Sequence, residues 1–175
     1  MSTETTFNLK SFIDSGLVPD YVPQAFETSS SLDVEFPNAI KVNNGTLLSR
    51  AESKPTPKVT FTVEDHTSKY TLLCIDPDAP TRSWAVLGPV RHWTIIDIPG
   101  SSGDASAGKQ IGGSYAPPGP PPFTGEHRYV FLLYKQTKAD AHLESLLSRM
   151  RWDYKLYIKE HGLELVAANF FVAKF

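Results

Sequence analysis

Between Tyr115 and Pro122 the chain reads Tyr-Ala-Pro-Pro-Gly-Pro-Pro-Pro, with proline at five of the six positions from 117 to 122. Each proline fixes its own φ and removes an amide donor, so neither a helix interior nor a central strand can pass through this stretch. Any compact fold has to route it as a stiff connection between other elements. Two readings are open: a proline-rich ligand for a partner's aromatic groove, or a rigid loop that walls a pocket. Strand patterns on both sides favour the wall.

Those patterns have a period of two. Val59, Phe61 and Val63 alternate with Thr60, Thr62 and Glu64, as in a strand with one buried face. A polar turn at Glu64–Ser68 follows, and Tyr70 to Asp76 runs back as a second strand. Further strands are expected at Asp33–Phe36, His92–Ile98, Gln110–Tyr115, His127–Tyr134 and Leu165–Phe171. Helical spacing appears only near the two ends. Leu9, Phe12 and Ile13 precede a stop at Gly16. Leu143, Leu146, Leu147 and Met150 follow a capping-box pair, Thr137 and Asp140, while Tyr154, Tyr157, Ile158 and His161 lie between an Asp153 cap and Gly162. The strand-rich middle predicts a mostly β protein with short helices near the N- and C-terminal ends.

With 175 residues, 41% hydrophobic and 21% charged, the chain can bury one core, and residues 1–175 are expected to form a single domain. No repeat and no inter-domain linker interrupts it. A formal net charge of −2 without a basic run disfavours nucleic acid as a partner. Cys74 is the only cysteine, which excludes an intramolecular disulfide and disfavours a cysteine metal site. It lies in the apolar run Leu72–Ile75 and reads as a core residue. The polar start Met1–Thr6 has no stretch of signal-peptide type, and the longest apolar run, Tyr129–Tyr134, is far too short for a membrane span. A cytoplasmic protein without cofactor or metal is expected, and any contact with lipid would be peripheral, through a bound headgroup.

Three polar residues stand out at strand ends. Asp76 terminates the run Leu73-Cys74-Ile75-Asp76-Pro77-Asp78-Ala79-Pro80, where two prolines stop the ladder. His92 and His127 each begin a strand, and alternation places His127, Tyr129 and Phe131 on one face with Arg128, Val130 and Leu132 on the other. Two imidazoles and a carboxylate permit a metal triad, an acid–base pair or an anion site. All three residues could equally be satisfied hydrogen-bonders at a sheet end. A hydrolase lacks a nucleophile, because Gly112-Gly113-Ser114-Tyr115-Ala116 departs from the Gly-x-Ser-x-Gly elbow. His66, His142 and His161 read as turn or helix-flank residues rather than ligands. Residue chemistry alone does not choose among the readings.

Longer motifs do. Tyr70–Arg82, followed by His92-Trp93 and Ile98-Pro99-Gly100, resembles the first signature of the phosphatidylethanolamine-binding protein family. Gly119-Pro120-Pro121 with Thr124–Phe131 resembles the second, and Val166–Phe171 is similar to the family's last strand. The resemblance implies a sandwich in which a large antiparallel sheet packs on a smaller one. It also implies a small anion pocket lined by Asp76, His92, His127 and Tyr129 and walled by Ala79, Pro80, Gly119 and Pro121. Relatives of this kind bind phosphate-bearing headgroups or phosphorylated ligands and are not enzymes. They regulate protein partners, through inhibition of Raf-type kinases, inhibition of the serine carboxypeptidase Y, or control of flowering. The wording of His127–Gln136 and the Asn169-Phe170-Phe171 ending resemble fungal members.

The chain also departs from that pattern. Val90 and Arg91 precede His92 where aromatic residues or a second histidine are common, Pro117 replaces a glycine, and Pro122-Phe123 replace Lys-Gly. Three expectations follow for the structure: a cis peptide at Ala79–Pro80, a proline run on the pocket rim, and room for a phosphate, sulfate or carboxylate between His92 and His127 near Asp76.

Overall fold

The computed structural model describes residues 4–138 and 148–174. Helix α1 (Leu9–Asp14) starts at Asn8, whose side chain accepts a hydrogen bond from the Ser11 amide. It ends before Gly16, which takes a φ of 66° that a side chain would resist. Then come strands β1 (Ser31–Phe36), β2 (Ile40–Val42) and β3 (Thr46–Ser49), and a single-turn helix α2 (Arg50–Ser53). Strands β4 (Lys58–Thr62), β5 (Lys69–Asp76), β6 (Val90–Pro99), β7 (Lys109–Gln110) and β8 (Glu126–Gln136) form the middle of the chain. Helix α3 (Tyr154–His161) and strand β9 (Leu163–Lys174) complete the order.

The strands make two sheets. A small one has the order β2-β1-β4, and a large one the order β3-β9-β8-β5-β6-β7. Every pairing is antiparallel except β3 with β9, a parallel pair at the edge of the large sheet. The small sheet lies over one face of the large sheet. Leu32, Val34, Phe61, Leu72, Phe131 and Phe171 fill the space between them. The opposite face, carrying Leu73, Ile75, Val130 and Leu132, packs on Phe12, Trp152 and Tyr157. Because both faces of β5 and β8 are covered, these strands read as unbroken apolar runs rather than as alternations. Each large apolar side chain so buried contributes about 1.5–3 kcal/mol relative to exposure. Cys74 sits in the core between the sheets, and burial pushes its thiol well above the ordinary range.

Three features differ from the sequence expectation or extend beyond it. Strands β4 and β5 do not pair as a hairpin: β4 joins β1, whereas β5 lies between β6 and β8. The polar turn between them crosses from one sheet to the other, and Asp65 shapes it by accepting from the Thr67 and Ser68 amides. The strand expected at Gln110–Tyr115 shrinks to Lys109–Gln110, because Gly112 (φ 64°) and Gly113 (φ 98°) turn the chain off the ladder. Of the helix expected around Leu143–Met150, Asp140, His142, Leu143, Leu146 and Leu147 lie outside the described residues. Met150 is exposed in a turn. Helix α3 matches its expectation, with Asp153 accepting from the Leu156 amide and Gly162 left-handed at φ 58°. His161 is half-buried in its last turn, its ring 4.4 Å from that of Tyr157.

Candidate functional site

Strands β5, β6 and β8 lie side by side, and their ends deliver Asp76, His92 and His127 to one end of the large sheet. Asp76 is buried. Its Oδ1 accepts from the Asp78 amide at 2.7 Å, and its Oδ2 stands 2.8 Å from Nδ1 of His127. The other nitrogen of His127, Nε2, lies 3.1 Å from the Pro80 carbonyl and 3.2 Å from Oγ1 of Thr124. That hydroxyl donates to the Pro121 carbonyl, so it can only accept from the ring. Both ring nitrogens of His127 therefore face acceptors, and the geometry calls for imidazolium. Burial works against that charge, but the Asp76 hydrogen bond, the charges of Asp76 and Asp78 and the Pro80 carbonyl outweigh it and hold the pKa above 6.5.

His92 is built differently. Its Nδ1 stands 2.6 Å from the Ala116 carbonyl, which can only accept, so Nδ1 carries a proton. Burial, the largest influence, holds the pKa of this ring below 6.5 despite the Ala116 bond and the charge of Asp76. His92 is thus neutral at pH 7, with Nε2 an acceptor that has no partner among the described residues. Its ring meets that of Tyr129 edge-on at 5.1 Å. Tyr129 in turn stacks on Phe171 at 4.9 Å, and the Gly119 backbone lies near its hydroxyl.

The proline run forms the third wall. The Ala116 amide donates to the His92 carbonyl at 2.9 Å, Gly119 reaches Tyr129, and Thr124 reaches His127. Pro118 and Pro120 are buried, and the residues flanking the run, Ala116 and Thr124, contact His92 and His127, which keeps the run beside both histidines as expected of a rim. Ala79–Pro80 is cis, also as expected, as are Val18–Pro19 and Gly88–Pro89. The Ala79 carbonyl accepts from the Leu87 amide, which closes the loop after β5. Among the described residues, no cluster of three histidine, cysteine, aspartate or glutamate side chains is arranged to hold a metal ion.

Behind this layer stands a buried ion pair that the motifs did not reveal. Asp78 accepts at Oδ2 from the Arg128 amide and from Nε, each at 2.8 Å, and at Oδ1 from Nη2. Nη1 of Arg128 donates to the carbonyls of Ser15 and Gly16. The pair therefore ties the loop after β5 to β8 and to the end of α1. The only sequence signal was parity: Arg128 faces away from His127, toward an otherwise apolar layer, where an arginine requires a partner.

A protein-family model described as phosphatidylethanolamine-binding protein matches residues 26–171. The chain belongs to this family. An uncharacterised protein of Saccharomyces cerevisiae is 36% identical, with 86% of this chain and 84% of that protein covered. A 26 kDa secreted antigen of Toxocara canis is 38% identical over 73% of this chain, which spans about half, 47%, of that longer relative. Among solved structures, carboxypeptidase Y inhibitor, determined in complex with its cognate proteinase, superposes with a TM-score of 0.83 at 26% identity. That superposition covers 95% of this chain and 94% of the inhibitor.

The raised pKa of His127 has a consequence for this family member's stability. A group whose folded pKa exceeds its unfolded value stabilises fully below the unfolded value, and that contribution is lost as pH rises through the folded pKa. His92, shifted the other way, gives the opposite slope, so the two are separated by difference. The stability of the native protein minus that of His127→Gln should fall as pH rises from below 6.5 through the raised value. Urea titrations at a series of pH values measure it. A flat difference would mean that His127 is not cationic in the fold.

Proposed function

We propose that this protein binds a phosphate-bearing headgroup or phosphorylated ligand at the end of the large sheet and that it regulates a partner protein, in the manner of a kinase-signalling modulator. The observation that carries the proposal is the pairing of a fixed cation with an unengaged neighbour. His127 is held charged by Asp76, while Nε2 of His92 has no partner among the described residues. Both donors of His127 are engaged within the protein, so it serves by its charge and by fixing Asp76 and Pro80. Direct contacts fall to His92, Tyr129 and the Gly119 segment, with Ala79 and Pro121 in the walls.

A neutral His92 accepts through Nε2, so a bound phosphate must either present its own proton or draw one onto the ring. Affinity should accordingly strengthen as pH falls toward the pKa of His92 and weaken above it. Calorimetric titration with a phosphomonoester at two pH values tests this. His92→Ala and His127→Ala should each cost several-fold in affinity, whereas His161→Ala should cost nothing measurable. Equal affinity in all four proteins would return the three polar residues to a purely structural role.

Inhibition of a serine carboxypeptidase is a second reading, favoured by the 0.83 superposition on an inhibitor bound to its proteinase. An inhibition assay against carboxypeptidase Y decides it. Full proteinase activity at saturating concentrations of this protein would remove that reading and leave the headgroup proposal standing.

A further inference from the structure

Four charged side chains at this end of the molecule form two ion pairs. Asp76 is matched by His127 and Asp78 by Arg128. Beside them, Arg91 and Arg149 flank the start of β6, and neither meets a carboxylate among the described residues. Arg91 is 1% exposed, yet among the described residues Nε and Nη1 of its guanidinium have no hydrogen-bond partner, while Nη2 donates to the Gly112 carbonyl. Its guanidinium also lies 6.0 Å from the Trp152 ring. A buried cation with orphaned donors is costly to keep, and like charges placed together are costlier. Burial, followed by the like charge of Arg149, brings the pKa of Arg91 down to about 10.

Arg149 connects this charge to the ligand site. Its Nη1 donates to the carbonyls of His92 at 2.8 Å and Arg91 at 3.2 Å, and its Nη2 donates to Ser114 at 2.8 Å. It thereby clamps the start of β6 to the segment that carries Ala116, whose carbonyl fixes the ring of His92. The charged groups that act on that ring are Asp76 from β5, His127 from β8 and Arg149 from the segment before α3. The single carboxylate of this set is already engaged by His127.

We infer that the site selects a doubly negative ligand, a phosphomonoester dianion, over a singly negative phosphodiester, and that Arg149 and Arg91 are the positioning residues that set this preference. The inference rests on the anion-binding reading given above. A phosphomonoester carries close to two charges at neutral pH, because its second pKa is about 6. A diester carries one. Buried Arg91 and half-buried Arg149, unpaired with any carboxylate among the described residues, favour the extra charge, by about five- to tenfold in affinity.

Calorimetric titration of the full chain with O-phosphoethanolamine and with glycerophosphoethanolamine tests the inference, because the two share an ethanolamine and differ in ester type. The native protein should prefer the monoester. Arg91→Met, which removes the charge but keeps the bulk, should narrow that preference, as should Arg149→Gln, while Arg149→Lys should retain most of it. Arg149→Gln should also raise the pKa of His92, read by NMR titration of the ring, whereas Arg149→Lys, which keeps the charge, should leave it low; a loosened fold would raise it in both variants. Equal binding of the two ligands by the native protein overturns the inference and leaves the anion site intact. So does a loss that is the same for both ligands in Arg91→Met. If the native protein binds neither ligand, the anion site itself falls, and this preference with it.

Discussion

Replacing Asp78 with alanine should cost about 3–5 kcal/mol of unfolding free energy, the loss expected when one partner of a buried ion pair is removed. Asp78 is 1% exposed and accepts three hydrogen bonds from Arg128. Without it, the guanidinium keeps only the Ser15 and Gly16 carbonyls, inside a layer that otherwise packs Val130, Leu132 and Phe12. For a chain of this size the midpoint of thermal unfolding should drop by about 10 °C. Asp78→Asn keeps the volume and one acceptor, so it should cost less than alanine and more than any surface substitution. Urea unfolding of the three proteins reads the order directly. An alanine variant within about 1 kcal/mol of the native protein would show that the pair is not desolvated as its burial implies.

Asn169→Ala should be the second most damaging change, at about 2–4 kcal/mol. Asn169 is fully buried in β9 and connects three segments at once. Its Nδ2 donates to the carbonyls of Leu32 in β1 and Val42 in β2, and its Oδ1 accepts from the amides of Asn44 and Phe170. Alanine strands these groups where water cannot replace the side chain. Asn169→Asp should be worse, because it turns a carboxylate toward two carbonyl oxygens. Amide hydrogen exchange would locate the damage: protection should fall at Asn44 and across the small sheet before it falls at β5. A uniform loss of protection would mean that Asn169 does not act as the tie between sheets.

Strands β5, β6 and β8 were legible because each runs for eight or more residues with both faces buried, which produces long apolar segments. Helix α1 was legible from the spacing of Leu9, Phe12 and Ile13 and from Gly16, and α3 from Asp153 at its start and Gly162 past its close, whereas the Asn8 cap was not singled out. Short elements were not. Strands β2 and β3 and helix α2 have three or four residues each, too few for a period to show. The sheet assignment of β4 was hidden for a different reason: its partner β1 lies earlier in the chain, and alternation says which face is buried but not which strand lies alongside.

At the site, Asp76 and His127 could be singled out because a strand end exposes a polar side chain at a boundary that the prolines mark. The asymmetry of the two histidines was not visible, since it depends on which atoms face Nδ1 and Nε2. The carboxylate of Asp76 favours imidazolium at His127, whereas at His92 burial outweighs its charge. Arg149 escaped notice altogether. Its side-chain contacts lie 35, 57 and 58 residues away and are all to backbone carbonyls, which carry no sequence signature.

The position of β9 sets the order in which this protein can be assembled during synthesis. It is the last of the described strands to leave the ribosome, yet it occupies an inner place in the large sheet, between β3 and β8. Its asparagine also reaches Asn44, 125 residues earlier. Until β9 arrives, β3 has no neighbour and β8 presents an open edge of backbone donors and acceptors, the kind of surface that invites pairing with another chain. Contacts so distant in sequence form slowly, so the nascent protein spends this interval dependent on whatever shields β8.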